Sequence, residues 1–273
     1  MRSFAQRIRR YYFRLFQASG VNRSYVRTPA IFESIVSADP AKLFIFVVAF
    51  NEAHLIALHW KALERFCRDE HEYFVIDNSN QPEASKAIRQ FCEEHRVNYV
   101  RLPKNPALDG SFSHGFALNW AYHNLVAKFH PRLFGIIDSD LFPTKFFSIG
   151  FYLGKGDAWG ILMERHSTVA LWPGFAFFKR EWLENQNSSS DEPNFLPGRG
   201  VDTGGRVKVD GAAIKKLPEV YDLDNGYVDM TEIKVPRGVA SARRYGSFVH
   251  LTGASWIGGS ADAKLRWIEM ELE

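Results

Sequence analysis

From residue 42 onward, apolar positions fall into alternating blocks of two kinds. Residues 43–50 form one continuous apolar run, the pattern of a strand buried on both faces. A helix is predicted from Asn51 or Glu52 to about residue 68, where Leu55, Leu58, Ala62 and Phe66 recur at helical spacing. Residues 73–76 read as a second buried strand, ending at Asp77, Asn78, Ser79 and Asn80. Pro82 suits the first turn of the next helix, which carries Ala87, Ile88 and Phe91. Residues 97–102 form a third strand and 103–111 a loop. A further helix runs to about Phe129, Pro131 breaks it, and residues 133–137 make the fourth strand. This alternation predicts an α/β protein with a mainly parallel central sheet and helices on both faces.

The character changes after Phe151. Residues 157–163 and 169–178 read as strands without long helices between them. Residues 185–197 read as a loop, and 197–205 are rich in glycine. A last apolar stretch spans residues 248–251. Three sections follow: an N-terminal segment over 1–40, an α/β half over 41–150, and a strand-and-loop half of the same domain over 151–273.

The N-terminal segment has no acidic residue before Glu33. At helical spacing Phe4, Ile8, Tyr11 and Leu15 share a face, while Arg7, Arg10 and Arg14 form a stripe beside it. Three readings fit: a basic amphipathic helix of residues 1–20 lying on an anionic membrane surface, a helix docked on the protein's own body, or an organelle transit peptide.

Composition narrows the class. The chain has 273 residues, 46% of them hydrophobic and 24% charged, which allows an ordinary globular core. A net charge of +3 is too small to indicate nucleic acid as a partner. Cys67 and Cys92 both fall in predicted helices and read as reduced structural thiols. No apolar run approaches the roughly 20 residues of a membrane span, and no signal-peptide core with a cleavage site is visible. The expectation is a cytoplasmic protein, peripheral on the inner face of the membrane if the N-terminal helix binds lipid.

Candidate chemistry gathers at strand ends. In parallel sheets, ligands bind beyond the carboxyl ends of the strands. Three of the four strands end in polar groups: Asn51-Glu52, Asp77-Asn78 and Asp138-Ser139-Asp140. Two carboxylates one residue apart at the mouth of a buried strand are costly without a nearby cation. A divalent metal holding a diphosphate explains them; capping of a following helix is the alternative.

Four features together resemble a GT-A-fold glycosyltransferase, close to glycosyltransferase family 2. They are the strand Val47-Val48-Ala49-Phe50 with its Asn51-Glu52 ending, the strand Val75-Ile76-Asp77-Asn78-Ser79, the loop and helix over 105–119, and the D-x-D of Asp138 and Asp140. The resemblance covers residues 42–145. It implies a nucleotide-sugar donor held by Phe50, Asn51, Glu52, Asp77 and Asp138, with Asp77 contacting the base and Asp138 the ribose or a metal-bound water; the alternatives are a capped turn of Asp77 with Asn78 and Ser79, and a plain helix start at Asn51-Glu52. It also implies Mn2+ or Mg2+ on Asp138 and Asp140, with His250 in the region of a third ligand; a satisfied core histidine is the alternative for His250. A glycan or lipid-linked acceptor would bind the 151–273 half, in cell-envelope or polysaccharide synthesis. The family's acceptor-side Glu-Asp pair is missing. Asp202, in the glycine-rich loop, is the candidate general base, with Glu164, His166 and Asp229 as rivals. Lys104, His114 and Arg199 are surface groups or candidate phosphate contacts, and Trp172-Pro173-Gly174-Phe175 is either a sugar-stacking platform or a core turn. The other classes compatible with the chain are a nucleotidyltransferase and a membrane-surface scaffold that binds a sugar nucleotide without turning it over.

Overall fold

The computed structural model describes residues 18–107, 109–165, 168–187, 193–198, 203–207, 214–216 and 242–251, with 265, 266, 268–270 and 272 near the C-terminus. Most of the basic amphipathic segment, residues 1–17, lies outside the described residues.

Helix α1 (Ala18–Tyr25) leads to strand β1 (Phe32–Ser34), then β2 (Leu43–Ala49), α2 (Ala53–Phe66), β3 (His71–Asp77), α3 (Pro82–Glu94) and β4 (Asn98–Arg101). Next come α4 (Gly110–Ala121), continued by a π-turn over Tyr122–Val126 and a short α5 (Ala127–Phe129), then β5 (Leu133–Ile137) and β6 (Leu141–Pro143). The remainder comprises α6 (Ile149–Leu153), β7 (Ala158–Arg165), β8 (Thr168–Lys179), α7 (Arg180–Asn187), β9 (Ile214–Lys216), β10 (Ala242–Tyr245) and β11 (Phe248–Leu251).

Eight strands form one sheet in the order β1-β4-β3-β2-β5-β8-β7-β9. The centre, β4-β3-β2-β5, is parallel. β1 adds antiparallel to β4, and β8 antiparallel to β5. The α/β expectation is therefore borne out, and β7 and β8 of the second half extend the same sheet. Alternate residues of each strand feed two cores. Phe44, Phe46, Phe74, Ile76, Phe134 and Ile136 pack on one face with α4 through Phe112, Phe116 and Trp120. Ile45, Val47, Tyr73, Val75, Ile137 and Phe177 pack on the other with α2 and α3 through Ile56, Leu63 and Ile88. Continuous apolar runs are what such two-sided burial demands.

A smaller sheet, β10-β11-β6, covers the outer side of α2, where Leu55, Leu58 and Ala62 meet Phe142, Val249 and Leu251. At the centre of the large sheet Gly135 faces Phe177 across β5 and β8. A Cβ at Gly135 would lie 1.9 Å from a Phe177 ring atom, so the glycine makes room for the ring.

The structure differs from the sequence reading in a few places. The expected long helix ending near Phe129 carries a π-turn and stops at His130, which adopts a left-handed φ of 53° just before Pro131. α7 fills the stretch between the expected strand over 169–178 and the expected loop over 185–197 and takes in the first residues of that loop; its Arg180 reaches Glu184 one turn along at 2.6 Å. Both thiols, Cys67 and Cys92, are free, in agreement with the sequence reading.

His59 is fully buried between α2 and the small sheet, its Nδ1 2.8 Å from the Tyr73 hydroxyl. Nε2 has no hydrogen-bond partner among the described residues. Burial pushes its pKa down to about 3, against smaller opposing pulls from the Leu141 carbonyl and Asp140. The unfolded chain binds this proton near pH 6.5 and the folded one does not, so stability falls as pH drops below that value. We expect urea melts of the native chain to lose about 1.4 kcal/mol per pH unit from this group between about pH 6 and 4.5. A His59→Gln variant should lack that component of the slope.

Candidate active site

β5 runs parallel to β2, Phe46 opposite Ile136, and so delivers Asp138 at the carboxyl edge of the sheet. There the Asp138 N–H donates to the Gly174 carbonyl at 2.9 Å, and the Leu141 N–H donates back to the Asp138 carbonyl at 3.0 Å, closing a tight turn. The chain leaves that turn as β6, not as a helix. The next helix, α6, starts at Ile149 and is capped by Ser148. Helix capping therefore does not account for the two aspartates.

β6 pairs antiparallel with β11, which sets His250 opposite Leu141. The Leu251 N–H donates to the Asp140 carbonyl at 2.8 Å and holds that register beside the turn. His250 Nε2 lies 3.2 Å from Asp140 Oδ1, and one ligand atom from each of Asp138, Asp140 and His250 falls within 4.8 Å of the others. At metal–oxygen distances of about 2.0–2.6 Å, adjacent ligands stand about 3–3.7 Å apart and opposite ones about 4–5 Å, so three atoms within this range could share a hard divalent cation. Asp140 is only 9% exposed, and two carboxylates held this close are unfavourable without positive charge. The Trp172 ring lies 4.9 Å from the His250 ring and braces it. His114, on the first turns of α4, places Nε2 3.5 Å from Asp138 Oδ1.

A cavity of about 820 Å3 opens from this cluster along the strand ends. That volume is within the range of small-molecule sites. Asp138, Asp140, His114, Trp172, Pro173 and Thr203 line one part, and Val48, Phe50, Asn78, Ser79, Arg101 and Asn105 another. Lys104 is also on the wall.

Of the residues singled out in the sequence, Phe50, Asp138 and Asp140 thus line the cavity, and His250 joins the aspartates. Asn51, Glu52 and Asp77 are not on its wall. Asn51 adopts a left-handed φ of 65° and clamps the next loop, its Oδ1 accepting from the Asn80 and Gln81 N–H groups at 3.1 Å each. Asp77 is fully buried beneath the cavity. Asp202, Arg199, His166 and Asp229 lie outside the described residues, as does the side chain of Glu164. Phe175 belongs to the core, packed on Phe248 at 4.5 Å.

Arg101 was not singled out in the sequence. Its signal is positional: it ends β4 and is the register partner of Asp77 on β3.

Removing one carboxylate should weaken metal binding without unfolding a site at the sheet edge. We expect Asp140→Asn to lower Mn2+ affinity by about 10–100-fold or more, read by calorimetric titration, with an unchanged circular dichroism spectrum.

Residues 44–145 match the model of glycosyl transferase family 2. No match was found among curated proteins. Among solved structures, a mannosyltransferase of Pyrobaculum calidifontis, in complex with GDP-Man and Mn2+, is 18% identical with a TM-score of 0.39; the match covers 66% of this chain and 56% of that one. The mannosyltransferase Ktr4p of S. cerevisiae is 11% identical with a TM-score of 0.39, over 62% of this chain and 65% of that one. This chain thus spans less than two thirds of either. Across residues 44–145, from β2 to just past β6 and including both aspartates of the cluster, the chain is similar to glycosyl transferase family 2.

Proposed function

We propose that this chain is a divalent-metal-dependent glycosyltransferase that moves a sugar, of the hexose type, from a nucleoside diphosphate donor to a glycan or lipid-linked acceptor. The observation that carries the reading is the Asp138, Asp140 and His250 cluster at the edge of a cavity that runs along parallel strand ends. The match of residues 44–145 to a glycosyltransferase family supports it. Bound there, Mn2+ or Mg2+ would neutralise charge growing on the departing diphosphate.

In a direct displacement the acceptor oxygen forms a bond to the anomeric carbon as the bond from that carbon to the diphosphate oxygen breaks. The acceptor proton needs a base on the face opposite the leaving group, within hydrogen-bond reach. We assign that role to Asp202. Thr203, the residue after it, lines the cavity, and its hydroxyl donates to the Ser111 carbonyl at 2.8 Å, which ties the glycine-rich loop to α4.

For location we propose contact of residues 1–20 with the anionic inner face of a membrane, which would suit a lipid-linked acceptor in envelope or polysaccharide synthesis. The arginine stripe supports it, each basic residue near such a surface contributing about 1 kcal/mol. No helix among the described residues is long and apolar enough to cross a membrane.

Donor turnover across a panel of sugar nucleotides should require Mn2+ or Mg2+ and stop with chelator. Metal-dependent binding without turnover of any donor would favour a scaffold instead. Asp202→Asn should lower turnover about 10²–10⁴-fold with donor binding unchanged; near-normal turnover moves the base to Glu164, His166 or Asp229.

Deleting residues 1–20 should reduce sedimentation with anionic liposomes while leaving soluble donor hydrolysis intact. Unchanged sedimentation would remove the membrane role.

A further inference from the structure

The part of the cavity away from the aspartates has an unusual hydrogen-bonding balance. Asp77 sits under it with both carboxylate oxygens engaged. Oδ1 accepts from the Ser79 N–H at 2.9 Å and pairs with Arg101 Nη1 at 3.1 Å. Oδ2 accepts from the Tyr99 hydroxyl at 2.7 Å and from the Ser85 hydroxyl. Burial, with Asp77 beside it, raises the Tyr99 phenol, which therefore remains a donor. The carboxylate has no exposed surface and is not on the cavity wall.

The neighbouring amides are occupied in the same way. Asn78 donates to the Ser113 hydroxyl at 2.9 Å and accepts from Asn105 at 3.1 Å. Asn105 also donates to the Ser113 carbonyl at 2.9 Å, and its oxygen accepts from the Ala107 N–H at 3.0 Å. Arg101 differs. Among the described residues only Nη1 is committed, to the side chain and carbonyl of Asp77, while the residue itself lines the cavity. A guanidinium carries five donors in a planar fork and no acceptor, so donors remain on Arg101. The hydroxyl of Ser79 is on the wall too, accepting from the Asn51 N–H at 2.8 Å. Val48, Phe50, Leu102 and the two-thirds-exposed Ile31 supply apolar walls for a flat ring.

We propose that Arg101, not Asp77, reads the nucleobase of the donor, and that it selects a base edge with two neighbouring acceptors. This inference rests on the nucleoside diphosphate site proposed above. Guanine offers O6 and N7, a frequent bidentate partner of arginine; cytosine offers O2 and N3. Uracil presents an N3–H between its two carbonyls, and that donor would need an acceptor which Asp77 cannot provide while buried. Asp77 acts through Arg101 as a positioning residue, holding one end of the fork so that the other end faces the ring.

Calorimetry in the presence of Mn2+ with GDP, CDP, ADP and UDP tests this. A bidentate arginine contact discriminates by roughly 5- to 150-fold, so GDP or CDP should bind tighter than UDP and ADP by that order, and the better of the two identifies the base. Arg101→Ala would leave Asp77 buried and unpaired and risks misfolding. Arg101→Lys keeps the charge beside Asp77 but removes the fork, and should bring the preferred nucleotide and UDP to within a few-fold of each other. UDP binding as tightly as GDP and CDP in the native chain, or an unchanged preference in Arg101→Lys, overturns the base assignment alone. Failure of all four nucleotides to bind with Mn2+ overturns the donor site itself, and the assignment with it.

Discussion

Burial of the parallel strands on both faces is the constraint from which the rest of this structure follows. Phe44, Ile45, Val47, Phe74, Val75 and Ile76 have essentially no exposed surface. A strand enclosed in this way has no room for a polar side chain that lacks a partner. Polar chemistry is therefore pushed to the strand ends, where the chain turns toward helix or loop. Asp77 and Arg101 end β3 and β4, and Asp138 follows β5 directly. Because these strands are parallel, their ends lie side by side, and residues distant in sequence meet along one edge of the sheet.

Charge at that edge is handled in two opposite ways. Asp77 is surrounded by donors from Ser79, Ser85, Tyr99 and Arg101, so its charge is matched inside the protein. Asp138 and Asp140 stand beside two histidines, His114 and His250, with one ligand atom each of Asp138, Asp140 and His250 within 4.8 Å of the others. A dication suits the second arrangement, since two carboxylates gathered with an imidazole are ligands such a cation takes, whereas the oxygens of Asp77 are enclosed by donors. The contrast separates a structural carboxylate from candidate metal ligands, although both stand at strand mouths.

The small sheet gives the candidate metal cluster its third member. β6 is only three residues long, yet its pairing with β11 fixes His250 beside Asp140. Phe142, Val249 and Leu251 bury this sheet against α2, so the apolar contacts that hold α2 in place also hold the histidine. Trp172 on β8 then packs on the His250 ring from the large sheet. Ligand placement is thereby shared between two sheets and one helix, the kind of rigid support that precise coordination needs.

What the sequence by itself determined here is the local and periodic part. Apolar runs over β2, β3 and β5 and the 3.6-residue spacing along α2 specify the α/β alternation, because burial on a sheet or helix face imposes those periods directly. The spacing of Asp138 and Asp140 was equally readable, since one short turn holds both. Only the tertiary structure decided the rest. The β6–β11 register brings His250 to the aspartates through backbone hydrogen bonds, which leave little mark on side-chain type. The fate of Asp77 depended on Tyr99 and Arg101 from the next strand and on Ser85 from a helix. An aspartate at a strand end reads the same in sequence whether those donors enclose it or a ligand does; burial and cross-strand pairing make the difference, and both are properties of the folded chain.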